Sequence, residues 1–165
     1  MFRDILVAFD GTPAARRALE SAAELAEAVN SKLTLISVAP EVPAFAYRAG
    51  VDADALEREA VAETERLLRE AVDSLPDDLS VTTVLKKGHA GERIVERIDD
   101  GGHDLLVMGS RGRGRVTSNL FGSVAAYVHF HSRVPMLVVQ REDEAPYSAA
   151  SASRSTWAGS GEQGK

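Results

Sequence analysis

The chain has 165 residues, 44% of them apolar and only 5% aromatic, with no cysteine and a formal net charge of −6. That length and apolar share fit one domain with an aliphatic core and exclude a disordered chain. The lack of cysteine excludes disulfides, thiolate metal sites and cysteine nucleophiles, and the acidic balance argues against holding nucleic acid by bulk charge.

The opening Met1-Phe2-Arg3-Asp4 meets an acid at once, so no signal-peptide apolar region is expected. No apolar run approaches the roughly 20 residues of a membrane helix. The expectation is a cytoplasmic protein with no membrane partner and no nucleic-acid partner.

Ile5–Phe9 is a continuous apolar run of strand length. Asp10-Gly11-Thr12-Pro13 follows, and Thr12 with Pro13 reads as N-cap and first helical position. Ala15, Ala18, Leu19, Ala22, Leu25, Ala26 and Val29 then fall on one helical face. Leu33–Val38 reads as a second strand, and residues 39–51, broken by Pro40 and Pro43, as a loop. A long helix is predicted over Asp52–Leu75, with Leu56, Ala60, Thr64, Leu67, Leu68 and Ala71 facing inward. Val81–Leu85 is a third strand. Ala90–Asp100 is a helix with Ile94, Val95 and Ile98 inward, closed by Gly101-Gly102. Leu105–Met108 is a fourth strand, Leu120–His131 a helix with Phe121, Val124, Ala125 and Val128 inward, and Pro135–Val139 a fifth strand. His89 and His103, at element ends, read as exposed, and His131 as a helix-terminal residue. His129 and His131 stand two apart on a helix and face different directions, which disfavours a metal site.

Strands alternating with helices imply a mostly parallel α/β sheet covered on both faces, doubly wound, with 3-2-1-4-5 as the natural order of five strands. Residues 1–140 form the predicted domain. Residues 141–165, rich in Ser, Ala, Gly and charge, read as a disordered tail. Its Trp157 is either solvated or a docking anchor.

The stretch from Gly109 to Val124 carries the chemistry. It leaves a buried strand and leads into a helix, where open parallel sheets bind ligands. Gly109 and Gly112 allow close approach, and successive main-chain N–H groups in such a loop can cradle phosphate oxygens. Gly122 and Ser123 stand near the positive end of a helix dipole, and the Ser123 hydroxyl can donate or serve as N-cap. Arg111, Arg113 and Arg115 form either a solvated basic loop or phosphate contacts. Asp10 can cap the first turn, touch a ligand, or both. There is no Gly-Lys-Ser/Thr of a Walker A loop. A glycine-rich loop that merely clears a helix is the alternative.

Gly109-x2-Gly112-x9-Gly122-Ser123 resembles the ATP-binding signature of the universal stress protein family. The pieces Ile5–Thr12, Asp104–Gly112 and His131–Val139 resemble that family's first strand, fourth strand and closing segment, so the likeness spans about residues 2–140. The resemblance implies a Rossmann-like fold and an adenine nucleotide as ligand: ATP, ADP or AMP, with Mg²⁺ as a bridging ion. It implies that Ala8, Phe9 and Asp10 line the adenosine part and that Val38 contacts the base through its main chain. It implies that Met108 and Gly109 border the ribose, and that Gly112, Gly122, Ser123 and Val124 hold the phosphates, with Arg111 nearby. Ala125 stands where the ATP-binding branch often has a hydroxyl. The resemblance further implies a homodimer through Met136–Val139. The function expected is a stress or signalling protein that binds nucleotide without catalysis or with slow ATP hydrolysis. The alternatives are an interaction module without nucleotide and an adenylyl-transferring enzyme.

Overall fold

The computed structural model describes residues 1–48, 50, 52–110 and 122–140. The tail and residues 111–121 lie outside that set, with them Arg111, Gly112, Arg113, Arg115, Phe121 and Trp157. In chain order the elements are β1 (Asp4–Ala8), α1 (Pro13–Val29), β2 (Lys32–Ala39), α2 (Ala44–Arg48), α3 (Ala53–Asp73), β3 (Val81–Lys87), α4 (Ala90–Gly101), β4 (Leu105–Gly109), α5 (Ser123–His131) and β5 (Met136–Val139). All four strand pairings are parallel, as the alternating pattern predicts, and the order is β3-β2-β1-β4-β5, the doubly wound choice expected for such a chain.

Side-chain alternation divides the core in two. Ile5, Val7, Leu33, Leu35, Leu105 and Val107 face α1 and α3, where Ala15, Ala18, Leu19, Ala22, Leu67, Leu68 and Ala71 pack on them. Leu6, Ile36, Leu106 and Met108 face α4 and α5, against Ile94, Ile98, Ala125 and Val128. The alanine face of α1 lets that helix lie close on the sheet. With few aromatics, near-complete burial of β1, β2 and β4 supplies most of the apolar driving force.

The helix ends follow local chemistry. The Ala15 N–H donates to the Thr12 hydroxyl at 3.3 Å, and Pro13 has no N–H to satisfy. Asn30 closes α1 in the left-handed region with φ 55°. Gly102 closes α4 with φ 63°, its N–H donating to the Ile98 carbonyl.

Four expectations are corrected. The loop expected over 39–51 contains the short helix α2, entered by an Ala46 N–H to Pro43 carbonyl bond of 2.9 Å. Leu56 is 41% exposed rather than inward; it lies in the first turns of α3, about three turns before the buried Leu67 that shares its helical phase. His103 is buried, its Nδ1 donating to Asp4 Oδ1 at 2.7 Å. Gly101 makes that burial feasible, because a Cβ there would stand 2.4 Å from His103 Nε2. The N-cap of α5 is Gly122, and Ser123 is the first helical residue.

Candidate functional site

β1 leads into α1 on one face of the sheet, and β4 is followed by α5 on the other. The two strands are neighbours with Ala8 beside Met108 in register. Their carboxyl ends therefore open a crevice at the place where the chain's winding reverses direction.

The crevice lies between the first turns of two helices. On one side the start of α1 sits on Gly109: a Cβ at Gly109 would be 2.8 Å from the Ala14 carbonyl carbon and 2.9 Å from the Ala15 nitrogen. On the other side the Gly122 N–H donates to the Ser110 carbonyl at 3.0 Å. Ser110 is buried and in turn donates its N–H to the Val139 carbonyl at 2.8 Å. The two ends of the stretch 111–121 are thus tied together at the tip of β4, and Gly109 and Gly122, thirteen positions apart along the chain, share one neighbourhood.

These two helix starts differ. The first turn of α1 already has its Thr12 cap and Pro13. Gly122 brings no side chain to cap α5, and the first helical bond there runs from the Ala126 N–H to the Gly122 carbonyl. The N–H groups of Ser123, Val124 and Ala125 precede that bond and have no intrahelical acceptor. The start of α5 is the end that can receive an anion, by its donors and its dipole. Ser123 is exposed there, and Gly122 and Val124 are half-buried.

The remaining predicted residues divide by sheet face. Ala8, Val38, Met108 and Val124 gather around the α4/α5 core, and each stands at the carboxyl end of its strand or the start of α5. Asp10 holds the turn into α1: its Oδ1 accepts from the Thr12 N–H at 3.0 Å and from the Thr12 hydroxyl at 2.6 Å. Phe9 does not join the group. Its ring is 3% exposed in the α1/α3 core with the Arg16 guanidinium 6.0 Å from its centroid. Its main chain is also committed, the N–H to the Ile36 carbonyl and the carbonyl to the Ser37 hydroxyl at 2.6 Å. That Ser37 contact is a structural residue sequence reading passed over; a lone Ser in an apolar strand was its only signal. Ala125 is 1% exposed under α5 and brings no hydroxyl to the crevice.

A separate open groove runs along α3, lined by Asp54, Glu57, Arg58, Val61, Ala62, Glu65 and Lys87. Its acids disfavour an anion, and its lysine is engaged. Lys87 is hydrogen-bonded to Glu57, which raises the ammonium pKa above its ordinary value.

Comparison with known proteins agrees with this fold. The model of the universal stress protein family matches residues 1–140. A universal stress protein of Thermus aquaticus is 30% identical over 140 residues, covering 85% of this chain and 100% of that protein. Among solved structures, the universal stress protein UspA from Lactobacillus plantarum superimposes with a TM-score of 0.71 at 20% identity, covering 84% of this chain and 97% of that one, a likeness of fold. A universal stress protein solved in complex with cAMP has a TM-score of 0.62 at 27% identity, covering 84% of this chain and 97% of that one. With the whole described sheet inside the matched span, the chain belongs to the universal stress protein family.

Proposed function

We propose that the crevice between β1 and β4 binds an adenine nucleotide, ATP or its ADP and AMP relatives, with Mg²⁺ bridging the phosphates where there are several. The observation that carries this reading is the Ser110–Gly122 hydrogen bond, which sets the uncapped start of α5 against the tip of β4. The phosphates would take the N–H groups of Ser123, Val124 and Ala125 and the Ser123 hydroxyl, with Gly112 and Arg111 contributing from the stretch between. The nucleoside would lie over Ala8, Asp10, Met108, Gly109 and the main chain of Val38. Phe9 is left out of the lining. The cAMP-bound relative supports the same ligand class.

The role is that of a cytoplasmic stress-response binder, either without catalysis or with slow ATP hydrolysis. Gly122 has φ −62° and ψ 159°, which valine adopts without strain. The Gly122→Val variant should therefore fold, yet place a branched side chain at the crevice. In calorimetric titration with Mg-ATP it should bind at least about tenfold more weakly than the parent, a loss of about 1.4 kcal/mol. Equal binding by both proteins, or none by the parent, rejects the assigned site.

We propose in addition that two copies pair through β5. It is an edge strand of the sheet, with Leu137 40% exposed on it and Phe130 of α5 80% exposed. Bare edges and apolar side chains of this kind favour self-pairing. Leu137→Lys should shift sedimentation from dimer toward monomer. A parent that sediments as a monomer removes this part of the reading.

A further inference from the structure

β3 is one edge of the sheet, and no strand lies beyond it among the described residues. Its ladder with β2 fixes which of its main-chain groups are engaged. The Leu33 N–H donates to the Ser80 carbonyl, and the Gly88 N–H donates to the Ala39 carbonyl. Alternate residues of a parallel strand turn both groups to the same neighbour, so Thr82, Val84 and Lys86 serve β2 as well. Val81, Thr83, Leu85 and Lys87 therefore turn their N–H and carbonyl groups outward, with no ladder partner among the described residues.

Little blunts this edge. Its register with β2 runs unbroken from Val81 to Lys87, with no bulge and no proline. Lys87, a residue type that commonly guards an edge, is hydrogen-bonded to Glu57 of α3, which offsets its charge. Thr83, in the middle of the strand, is exposed.

The groove of α3 runs beside the edge. Val61 and Ala62 form its apolar middle, and the acids Asp54, Glu57 and Glu65 line it against Arg58 and Lys87. Glu41 adds an acid at the carboxyl end of β3, its Oε1 3.2 Å from where a Cβ on Gly88 would stand. Glu65 has only a loose, exposed ion pair with Arg69 at 3.8 Å. The local balance is negative. By strand alternation Lys86 projects to the opposite, α4 face with Val84. An added strand with alternating character would send its cations to the acids of α3, their stems along Val61 and Ala62, and its apolar side chains to the Val84 face. A second copy fits worse, because edge-to-edge pairing sets one acidic groove beside its like.

We infer that the outer edge of β3 is a docking edge for an extended, basic segment of another protein, which adds to the sheet as a further strand and is selected by the acidic groove of α3. This goes beyond the nucleotide reading and does not depend on it. Pairing of copies through β5 would leave β3 open, since the two strands are opposite edges of the sheet.

The probe is a capped nonapeptide of alternating valine and lysine, with a valine–glutamate counterpart, both followed by fluorescence anisotropy. The parent should bind the lysine peptide at least about tenfold more tightly than the glutamate peptide, as charge complementarity implies. On its addition the N–H groups of Val81, Thr83, Leu85 and Lys87 should become protected from hydrogen exchange. Thr83→Pro removes an outward donor and leaves the ladder to β2 intact, so it should weaken the lysine peptide by about tenfold. The surface variant D54K/E65K should reverse the preference between the two peptides, and circular dichroism checks that both variants fold. Equal binding of the two peptides, exchange unchanged at the four N–H groups, or variants that bind as the parent does would overturn the inference. So would a parent whose sedimenting mass falls on Thr83→Pro, since the edge would then hold a second copy.

Discussion

A methyl group added to Gly109 would press on main-chain atoms of Ala14 and Ala15, which cannot rotate aside as a side-chain tip can. Its φ lies in the ordinary range, so the requirement is for space rather than for a left-handed backbone. Gly109→Ala should therefore cost about 1–3 kcal/mol by overpacking, read from the denaturation midpoint at unchanged m-value. No loss would mean that α1 can lift from the sheet at little cost. The reason for this glycine is not visible in its neighbours Met108 and Ser110, because the crowding comes from residues about ninety-five positions earlier. Sequence reading gave Gly109 to the ligand; the structure also gives it to the packing of α1. His103 teaches the same lesson. Its burial depends on Asp4, ninety-nine positions away, and on the bare Cα of Gly101. Asp104, beside it, accepts the Arg3 and Asp4 N–H groups at 2.8 and 3.1 Å, so this end of the sheet is held by side chains that look merely polar in the sequence.

Helix α4 meets α5 where Gly91 faces Tyr127. A Cβ on Gly91 would lie 2.6 Å from Tyr127 Cδ1. Alanine would gain up to about 1 kcal/mol of helix propensity there, against about 1–3 kcal/mol of overpacking. The clash should win, because the Tyr127 ring is already stacked on His131 with centroids 4.0 Å apart. A double-mutant cycle checks this: Gly91→Ala alone should destabilise, and in a Tyr127→Ala background it should be neutral or stabilising. Additive effects would show that the contact carries no energy. Most elements were legible from pattern. β1 and β4 are buried on both faces and read as unbroken apolar runs, β2 reads as a run of β-favouring residues interrupted by Thr34 and Ser37, and Thr12-Pro13 announced the start of α1. Helix α2 was not legible, because five residues bracketed by Pro43 and Gly50 show no periodicity. The face taken by Phe9 was missed for a related reason: a one-residue step along a strand exchanges one core for the other, and a continuous apolar run carries no mark of which side each member takes.

For the whole molecule, the parallel sheet followed from alternation of strands and helices, its order from the doubly wound arrangement such chains adopt, and the crevice from that order. The donors could not be gathered from sequence alone. Gly109 and Gly122 match a spacing, but their meeting depends on Ser110 bonding both to Gly122 and to β5. Because the proposed ligand joins elements from both halves of the sheet, it should bind only the folded chain. At a hundredfold excess over Kd, Mg-ATP would then add about 2.7 kcal/mol, and a domain of this size should melt about 5–10 °C higher. A melting curve indifferent to Mg-ATP at that excess would separate the fold from the function proposed for it. Among the described residues no helix is long and apolar enough to cross a membrane.

The tie between Ser110 and Gly122 has one more consequence. A chain segment whose two ends are already clasped can change length without asking the scaffold to move: doubling it adds only about 0.6 kcal/mol of closure entropy. Insertions between Ser110 and Gly122 should therefore be tolerated while β4, β5 and α5 keep their places, and new recognition could be built there.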